Sequence, residues 1–117
     1  LILEIKQYQT YKKNHSEYYK NSYDIVIDPD REYGLGIELA INNNTIVIKN
    51  FKRGINNKIL PAEESKIISL QDKLLEINHQ SLIGRKMQDT IKLLKELGKE
   101  KVLIKLQKHQ EEYKEYT

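Results

Sequence analysis

Hydrophobic and polar residues alternate along several short runs of this 117-residue chain, a period that is typical of half-buried β-strands. In the clearest run, Ile37, Leu39 and Ile41 occupy every second position. Comparable runs rich in β-branched and aliphatic residues cover 23–27, 46–51, 72–78 and 102–106. These runs predict five strands, and a shorter extended segment is expected at 81–83.

The helical period appears in a different part of the chain. Apolar residues recur three and four positions apart between 86 and 97, which predicts a helix with Gly98 at its C-terminal cap. This helix carries two apolar stripes, Met87, Ile91 and Leu94 on one and Thr90, Leu93 and Leu97 on the next. The core needs only one of them. A single helical turn is expected at 61–65, where proline stands at a tolerated first position.

Two glycines precede the clearest strand and are the main candidate for chemistry. Gly34 and Gly36 bracket Leu35 and lead directly into the strand at Ile37. Because glycine reaches positive φ without a steric clash, such a segment can curl and direct successive backbone N–H groups at an anion. An extended peptide could leave its terminal carboxylate on these N–H groups and pair with the strand edge.

Composition limits the classes of protein to which the chain can belong. It is 38% hydrophobic and 32% charged, which fits one modest domain. No apolar run reaches membrane-spanning length. The chain has no cysteine, consistent with a reducing, cytoplasmic location. The net charge is only +3, with basic and acidic residues interspersed, and this argues against a nucleic-acid partner.

The change in composition along the chain predicts three parts. Residues 1–22 are rich in Tyr and Lys and are expected to form an N-terminal extension. Residues 23–108 contain all the periodic segments and are expected to form the domain. Residues 109–117 are polar and are expected to form a tail.

The order of these elements resembles that of a PDZ domain in its common eukaryotic strand order. Four segments carry the resemblance, namely 34–37 as the carboxylate-binding loop, 61–63 as the start of the first helix, 72–78 as the strand that ends in Ile-Asn, and 87–95 as the second helix. The resemblance implies an α+β fold, a partly open antiparallel β-barrel or sandwich of five to six strands capped by two helices.

The resemblance also implies a binding site for the C-terminal residues of partner proteins. The N–H groups of Leu35, Gly36 and Ile37, with Gly34 shaping the loop, would receive the ligand carboxylate. The last ligand side chain would enter a hydrophobic pocket formed by Leu35, Ile37, Leu39, Ile91 and Leu94. The domain would act as a monomeric interaction or scaffold module without cofactors, meeting membranes only through its partners.

One helix position bears on ligand preference. PDZ domains that prefer Ser or Thr at the third residue from the ligand's end carry a histidine where this chain has Met87. A thioether is a poor partner for a hydroxyl and a good apolar surface, so we expect a hydrophobic ligand residue there, the pattern called class II. Arg31, Glu38 and Lys49 are possible accessory residues, and Arg31 lies one position away from the usual basic residue.

The chain departs from the family at three turns. Gln71 and His79 stand where the family usually has glycine, and no glycine follows Ser65. These turns must then be formed by residues that tolerate positive φ less well, or the turn type has changed.

The sequence bears on two other classes of function, an enzyme and a scaffold. An enzyme is not expected, because His15, His79 and His109 are far apart in the sequence and form no recognised nucleophile or metal-ligand motif. The alternative is a scaffold or dimerisation module with an inert glycine loop, in which the strand edge or the Tyr-rich ends bind another copy or a membrane surface.

Overall fold

A computed structural model describes residues 19–109, which fold as six strands and two α-helices. The strands are β1 (Ser22–Ile27), β2 (Ile37–Asn42), β3 (Thr45–Phe51), β4 (Lys73–Ile77), β5 (Gln80–Ser81) and β6 (Val102–Gln107). The helices are α1 (Pro61–Glu64) and α2 (Met87–Leu97), and a 3-10 turn covers Ile55–Asn57. Most of the expected N-terminal extension and C-terminal tail lies outside the described residues.

The strands form one antiparallel sheet in the order β1-β6-β4-β3-β2, with β5 paired to β4. Its edge strands, β1 and β2, do not pair with each other. The expected α+β class with six strands and two helices is therefore confirmed. The barrel is not, because the sheet remains open at both edges.

The element boundaries agree with the sequence prediction to within a residue or two, and the differences have local causes. The strand expected at 72–78 is shorter at both ends. Asp72 turns its carboxylate into the protein, and Asn78 adopts a left-handed φ of 48° that begins the turn before β5. The 3-10 turn at 55–57 was not predicted. It is irregular, because Asn56 inside it has a left-handed φ of 56°.

The three turn positions at which the PDZ resemblance leads one to expect glycine have left-handed backbones in this chain. Lys66, which follows Ser65, has a φ of 59°, Gln71 a φ of 73° and His79 a φ of 67°. A left-handed conformation costs a residue with a side chain about 1 to 2 kcal/mol relative to glycine. The turns thus keep a glycine-like path with residues that fit it less well.

The core lies between the sheet and the α2 helix. Its buried members come from every strand except β2 and β5, and include Ile27, Ile46, Ile48, Leu74, Ile77, Val102, Ile104 and Leu106. From α2, Met87, Leu93, Leu94 and Leu97 pack against this cluster as partly buried residues. The stripe of Met87, Ile91 and Leu94 is less completely covered, since Ile91 keeps 40% of its surface exposed.

A buried carboxylate joins three parts of the sheet. Asp72 is fully buried and accepts hydrogen bonds from the Tyr23 hydroxyl at 2.6 Å, the His109 backbone N–H at 2.8 Å and the Ser69 backbone N–H at 3.1 Å. Lys108 Nζ lies 3.6 Å from the same carboxylate. Since a buried charge without partners would be strongly destabilising, this network ties β1 and the end of β6 to the start of β4.

We expect Tyr23→Phe to lower the free energy of unfolding at pH 7 by about 1.5 to 3 kcal/mol, the range for a hydrogen bond to a charged group. Burial, and secondarily the hydrogen bond to Asp72, raises the pKa of Tyr23 above its usual value of 10.0. Below pH 10 the contribution is therefore fully present. Above pH 10 the unfolded tyrosine ionises first, so the contribution decreases.

Urea denaturation at pH 7 and at pH 11 measures this effect. The difference between the wild type and Tyr23→Phe should be smaller at pH 11. A difference that is absent at pH 7, or that grows with pH, would contradict the assigned hydrogen bond.

Candidate functional site

An open groove lies between the β2 strand and the α2 helix, with a volume of about 530 Å³. Its two long sides come from these elements, and its closed end from the turn that precedes β2 and the connection from α2 to β6. The lining residues include Leu35, Ile37, Leu39, Ile91, Leu94, Leu97 and Val102. The groove is therefore mainly apolar where strand and helix face each other.

All five residues expected to form the hydrophobic pocket line this groove. Leu35, Ile37 and Leu39 come from the β2 side, and Ile91 and Leu94 from α2. Tertiary packing explains why the helix has two apolar stripes, since one packs on the core and part of the other faces the groove. Leu97 and Val102 extend the apolar wall beyond the expected set.

The carbonyl groups of the glycine loop are all bonded within the protein. The carbonyl of Gly34 accepts from Asp30 N–H at 2.9 Å, that of Leu35 from Ala62 N–H at 3.0 Å, and that of Gly36 from Lys52 N–H at 2.8 Å. A trans peptide directs its C=O and its N–H in opposite directions, and the described chain has no cis peptide.

The N–H groups that share those three peptides must therefore point away from the protein contacts. These are the N–H groups of Leu35, Gly36 and Ile37, and all three residues line the groove. Within residues 19–109, the N–H groups of Leu35 and Gly36 donate to no protein acceptor. The loop thus presents adjacent hydrogen-bond donors without a partner inside the fold.

The free edge of β2 continues this row of donors. In an antiparallel ladder, alternate residues turn both backbone groups to the same neighbour. Because the carbonyl of Gly36 bonds to Lys52, the N–H group of Ile37 and the carbonyl of Ile37 turn to the opposite side, where no strand within residues 19–109 pairs with β2. Asn42 pairs with Thr45 across the two-residue turn, so the backbone groups of Ile41 and Leu39, like those of Ile37, face away from β3.

Both loop glycines have positive φ, for different structural reasons. Gly34 has a φ of 72° and open space where a side chain would start. Gly36 has a φ of 81°, and a Cβ there would lie 2.4 Å from the Cβ of Leu60. Gly36 is therefore required by close packing as well as by backbone conformation.

A charged turn holds the loop from its N-terminal side. The backbone of Asp30 exchanges two hydrogen bonds with Gly34, and its Oδ1 accepts from the N–H groups of Glu32 and Tyr33. Its Oδ2 lies 2.7 Å from Lys58 Nζ. The hydrogen bond from Lys58, together with the backbone donors, lowers the pKa of Asp30 to about 2, so this carboxylate is ionised at neutral pH.

Residues of both charges line the closed end of the groove, and the acidic ones are Asp30, Glu32 and Glu100. Arg31 was expected near the site, and the structure adds three lysines that sequence reasoning missed, Lys52, Lys95 and Lys99. Within residues 19–109, none of the four forms an ion pair. Their separation along the sequence concealed this cluster.

The remaining predicted residues occupy less direct positions. Glu38 lines the groove, and Lys49 lies outside the lining but 3.6 Å from the Glu38 carboxylate. Met87 begins α2 and is partly buried against the core, outside the residues that line the groove volume. Ten of the eleven residues that the sequence analysis named as site candidates thus lie near the groove, β2 or the glycine loop. The eleventh, Met87, lies at the N-terminal end of α2.

Comparison with known proteins gave no family: no protein-family model matches the chain, and no curated protein shows significant similarity to it. Among residues 19–109, no group of His, Cys, Asp or Glu side chains is arranged to hold a metal ion. Over the same residues, no helix is both long and apolar enough to cross a membrane.

We expect Gly36→Ala to destabilise the domain more than Gly34→Ala. Both substitutions place a side chain at positive φ, which costs about 1 to 2 kcal/mol. Only at residue 36 would the new methyl group also collide with Leu60, which adds about 1 to 3 kcal/mol. Thermal and urea denaturation of both variants measure the difference, and equal destabilisation would show that the Leu60 contact is unimportant.

Proposed function

We propose that this domain binds the C-terminal residues of partner proteins by β-strand addition, in the manner of a PDZ domain. The observation that carries the proposal is the outward orientation of the N–H groups of Leu35, Gly36 and Ile37, which follows from the bonded carbonyls of the same peptides. Adjacent free N–H groups are suited to a carboxylate, and the unpaired edge of β2 begins where they end.

The order of the elements supports the proposal. A glycine loop, a hairpin of β2 and β3, a short first helix, β4 and a longer second helix follow one another as the PDZ resemblance implies. The left-handed backbones of Lys66, Gln71 and His79 add an independent argument, because PDZ domains often have glycine at these three turns. The backbone path is kept although the residue types have changed.

The residues that line the groove indicate the chemistry of the expected ligand. Leu35, Ile37, Ile91 and Leu94 suit an apolar final side chain, whose burial contributes about 1.5 to 3 kcal/mol. Each hydrogen bond to the carboxylate contributes about 1.5 to 3 kcal/mol. After the cost of ordering the peptide, these contributions correspond to a dissociation constant of about 1 μM.

Amidating the C-terminus of a peptide with a hydrophobic last residue should weaken its binding at least tenfold. Amidation removes the negative charge and adds N–H donors opposite the N–H groups of the loop. Isothermal titration of the domain with the free-acid and amidated forms of one peptide measures the effect. Equal affinities would refute carboxylate recognition, since the two ligands differ in nothing else.

Substituting Met87→His should change the preference at the third ligand residue from the end. The proposal assigns class II specificity to the wild type, with an apolar residue at this position. The imidazole can hydrogen-bond to a hydroxyl, so the variant should gain affinity for a Thr-containing peptide relative to its Val counterpart, by about 1 kcal/mol. Fluorescence anisotropy with the two peptides tests this, and an unchanged preference would show that Met87 acts only in packing.

One observation favours a second candidate function, a scaffold or dimerisation module. In the part of the chain that the structure describes, the outer edge of β2 is unpaired over its whole length, and Ile41 on this strand keeps 57% of its surface exposed. An exposed edge can pair with a second copy of the chain. The titration separates the two, because pairing through the edge alone would be insensitive to amidation. We favour a monomeric, cytoplasmic interaction module that is not itself an enzyme.

A further inference from the structure

At the closed end of the groove, a carboxylate of the protein lies beside the proposed binding site for the carboxylate of the ligand. Asp30 is one of the residues that line the groove, and it is ionised at neutral pH. A ligand whose terminal carboxylate binds to the N–H groups of Leu35, Gly36 and Ile37 would therefore have a like charge nearby. Like charges at such a site oppose binding unless one of them is compensated.

Lys58 supplies the compensating charge from outside the groove. Its Nζ lies 2.7 Å from Asp30 Oδ2, while Lys58 itself does not line the groove. The lysine side chain is 57% exposed, and that of Asp30 is 14% exposed. A surface-accessible lysine thus neutralises a largely covered carboxylate beside the proposed ligand site.

The loop that carries Lys58 is held in place independently. Gly54 N–H donates to the carbonyl of Lys58 at 2.8 Å, and Lys58 N–H donates to the carbonyl of Ile55 at 3.1 Å. Arg53 and Ile59, which flank this turn, also form an isolated antiparallel β-bridge through their backbones. These contacts position Lys58 without help from Asp30, so loss of its charge should leave the loop in place.

From this arrangement we infer that Lys58 is a positioning and charge-compensating residue. By pairing with Asp30 it offsets the negative charge of that residue, an effect that we call masking, and so keeps the proposed site able to bind a ligand carboxylate. The inference rests on the proposed function and adds regulation to it. Removing the charge of Lys58, by substitution or by acetylation, leaves Asp30 negative and without its ion-pair partner beside the proposed ligand site. Binding of anionic peptide ends then weakens, although no residue in direct contact with the ligand has changed.

The test compares Lys58→Met with Arg53→Met. Both variants remove one positive charge from the same loop and break one ion pair, but Glu63, the partner of Arg53, does not line the groove. With a free-acid peptide in titration calorimetry, Lys58→Met should weaken binding about three- to tenfold at low salt. Arg53→Met should change it less than twofold, and the loss in Lys58→Met should diminish as salt is raised.

A second substitution isolates the role of Asp30. Asp30→Asn removes the charge, while its Oδ1 can still accept from the N–H groups of Glu32 and Tyr33. We expect Asp30→Asn to bind the free acid at least as well as the wild type, and Lys58→Met to have no further effect in that background. A loss that persists in the double variant, or an equal loss in Arg53→Met, would overturn the inference.

The amidated peptide separates failure of this inference from failure of the proposed function. If the wild type prefers the free acid and Lys58→Met behaves like Arg53→Met, only the role of Lys58 is refuted. If the wild type binds acid and amide equally, carboxylate recognition is refuted and the masking role with it. Lys58→Arg, which keeps the charge, should retain binding close to that of the wild type.

Discussion

The direction of three peptide planes is the constraint on which the candidate site depends. The carbonyls of Gly34, Leu35 and Gly36 are bonded to Asp30, Ala62 and Lys52, which belong to the preceding turn, the α1 helix and the end of β3. Because the peptide group is planar and trans, bonding the carbonyl on one side fixes the N–H on the other. The fold therefore turns three successive donors toward the groove, and two of them, the N–H groups of Leu35 and Gly36, have no acceptor among residues 19–109.

Close packing makes this arrangement specific to the sequence. The contact of Gly36 with Leu60 lets α1 approach closely enough to bond the carbonyl of Leu35. On the other side, Asp30 joins the turn to Gly34 and, through Lys58, to the loop after β3. The short first helix, the residue after β3 and the turn at Asp30 thus have a common effect, which is to hold the backbone of the glycine segment.

The charges around the groove are arranged unevenly. Asp30 and Glu38 are paired with lysines, whereas the cations at the closed end, Arg31, Lys52, Lys95 and Lys99, form no ion pair among the described residues. Glu32 and Glu100 also line the groove without an ion pair among residues 19–109, so the lining contains four basic and four acidic residues. Under the proposed role of Lys58, loss of its charge would shift this balance without replacing any residue that lines the groove.

Local sequence features determined a large part of this fold. The period of two at Ile37, Leu39 and Ile41 predicted an edge-like strand, and the period near four between 86 and 97 predicted α2 and its Gly98 cap. These features are local because strand and helix periods are properties of neighbouring residues. The same local pattern marked the glycine segment, since only its two glycines and the following strand were needed to suggest an anion site.

Tertiary structure alone decided which distant groups meet at that segment. No local pattern connects Gly36 with Leu60, Lys58 with Asp30, or Lys99 with Arg31, because these relations arise from chain folding over tens of residues. The sequence also did not determine whether the sheet is open or closed. The period of a strand specifies which of its faces is buried, whereas the closing of the sheet edges depends on the twist and packing of the whole sheet. The sequence could thus name the donors of the candidate site. The residues that orient those donors, and the residue that pairs with Asp30, could be identified only from the folded chain.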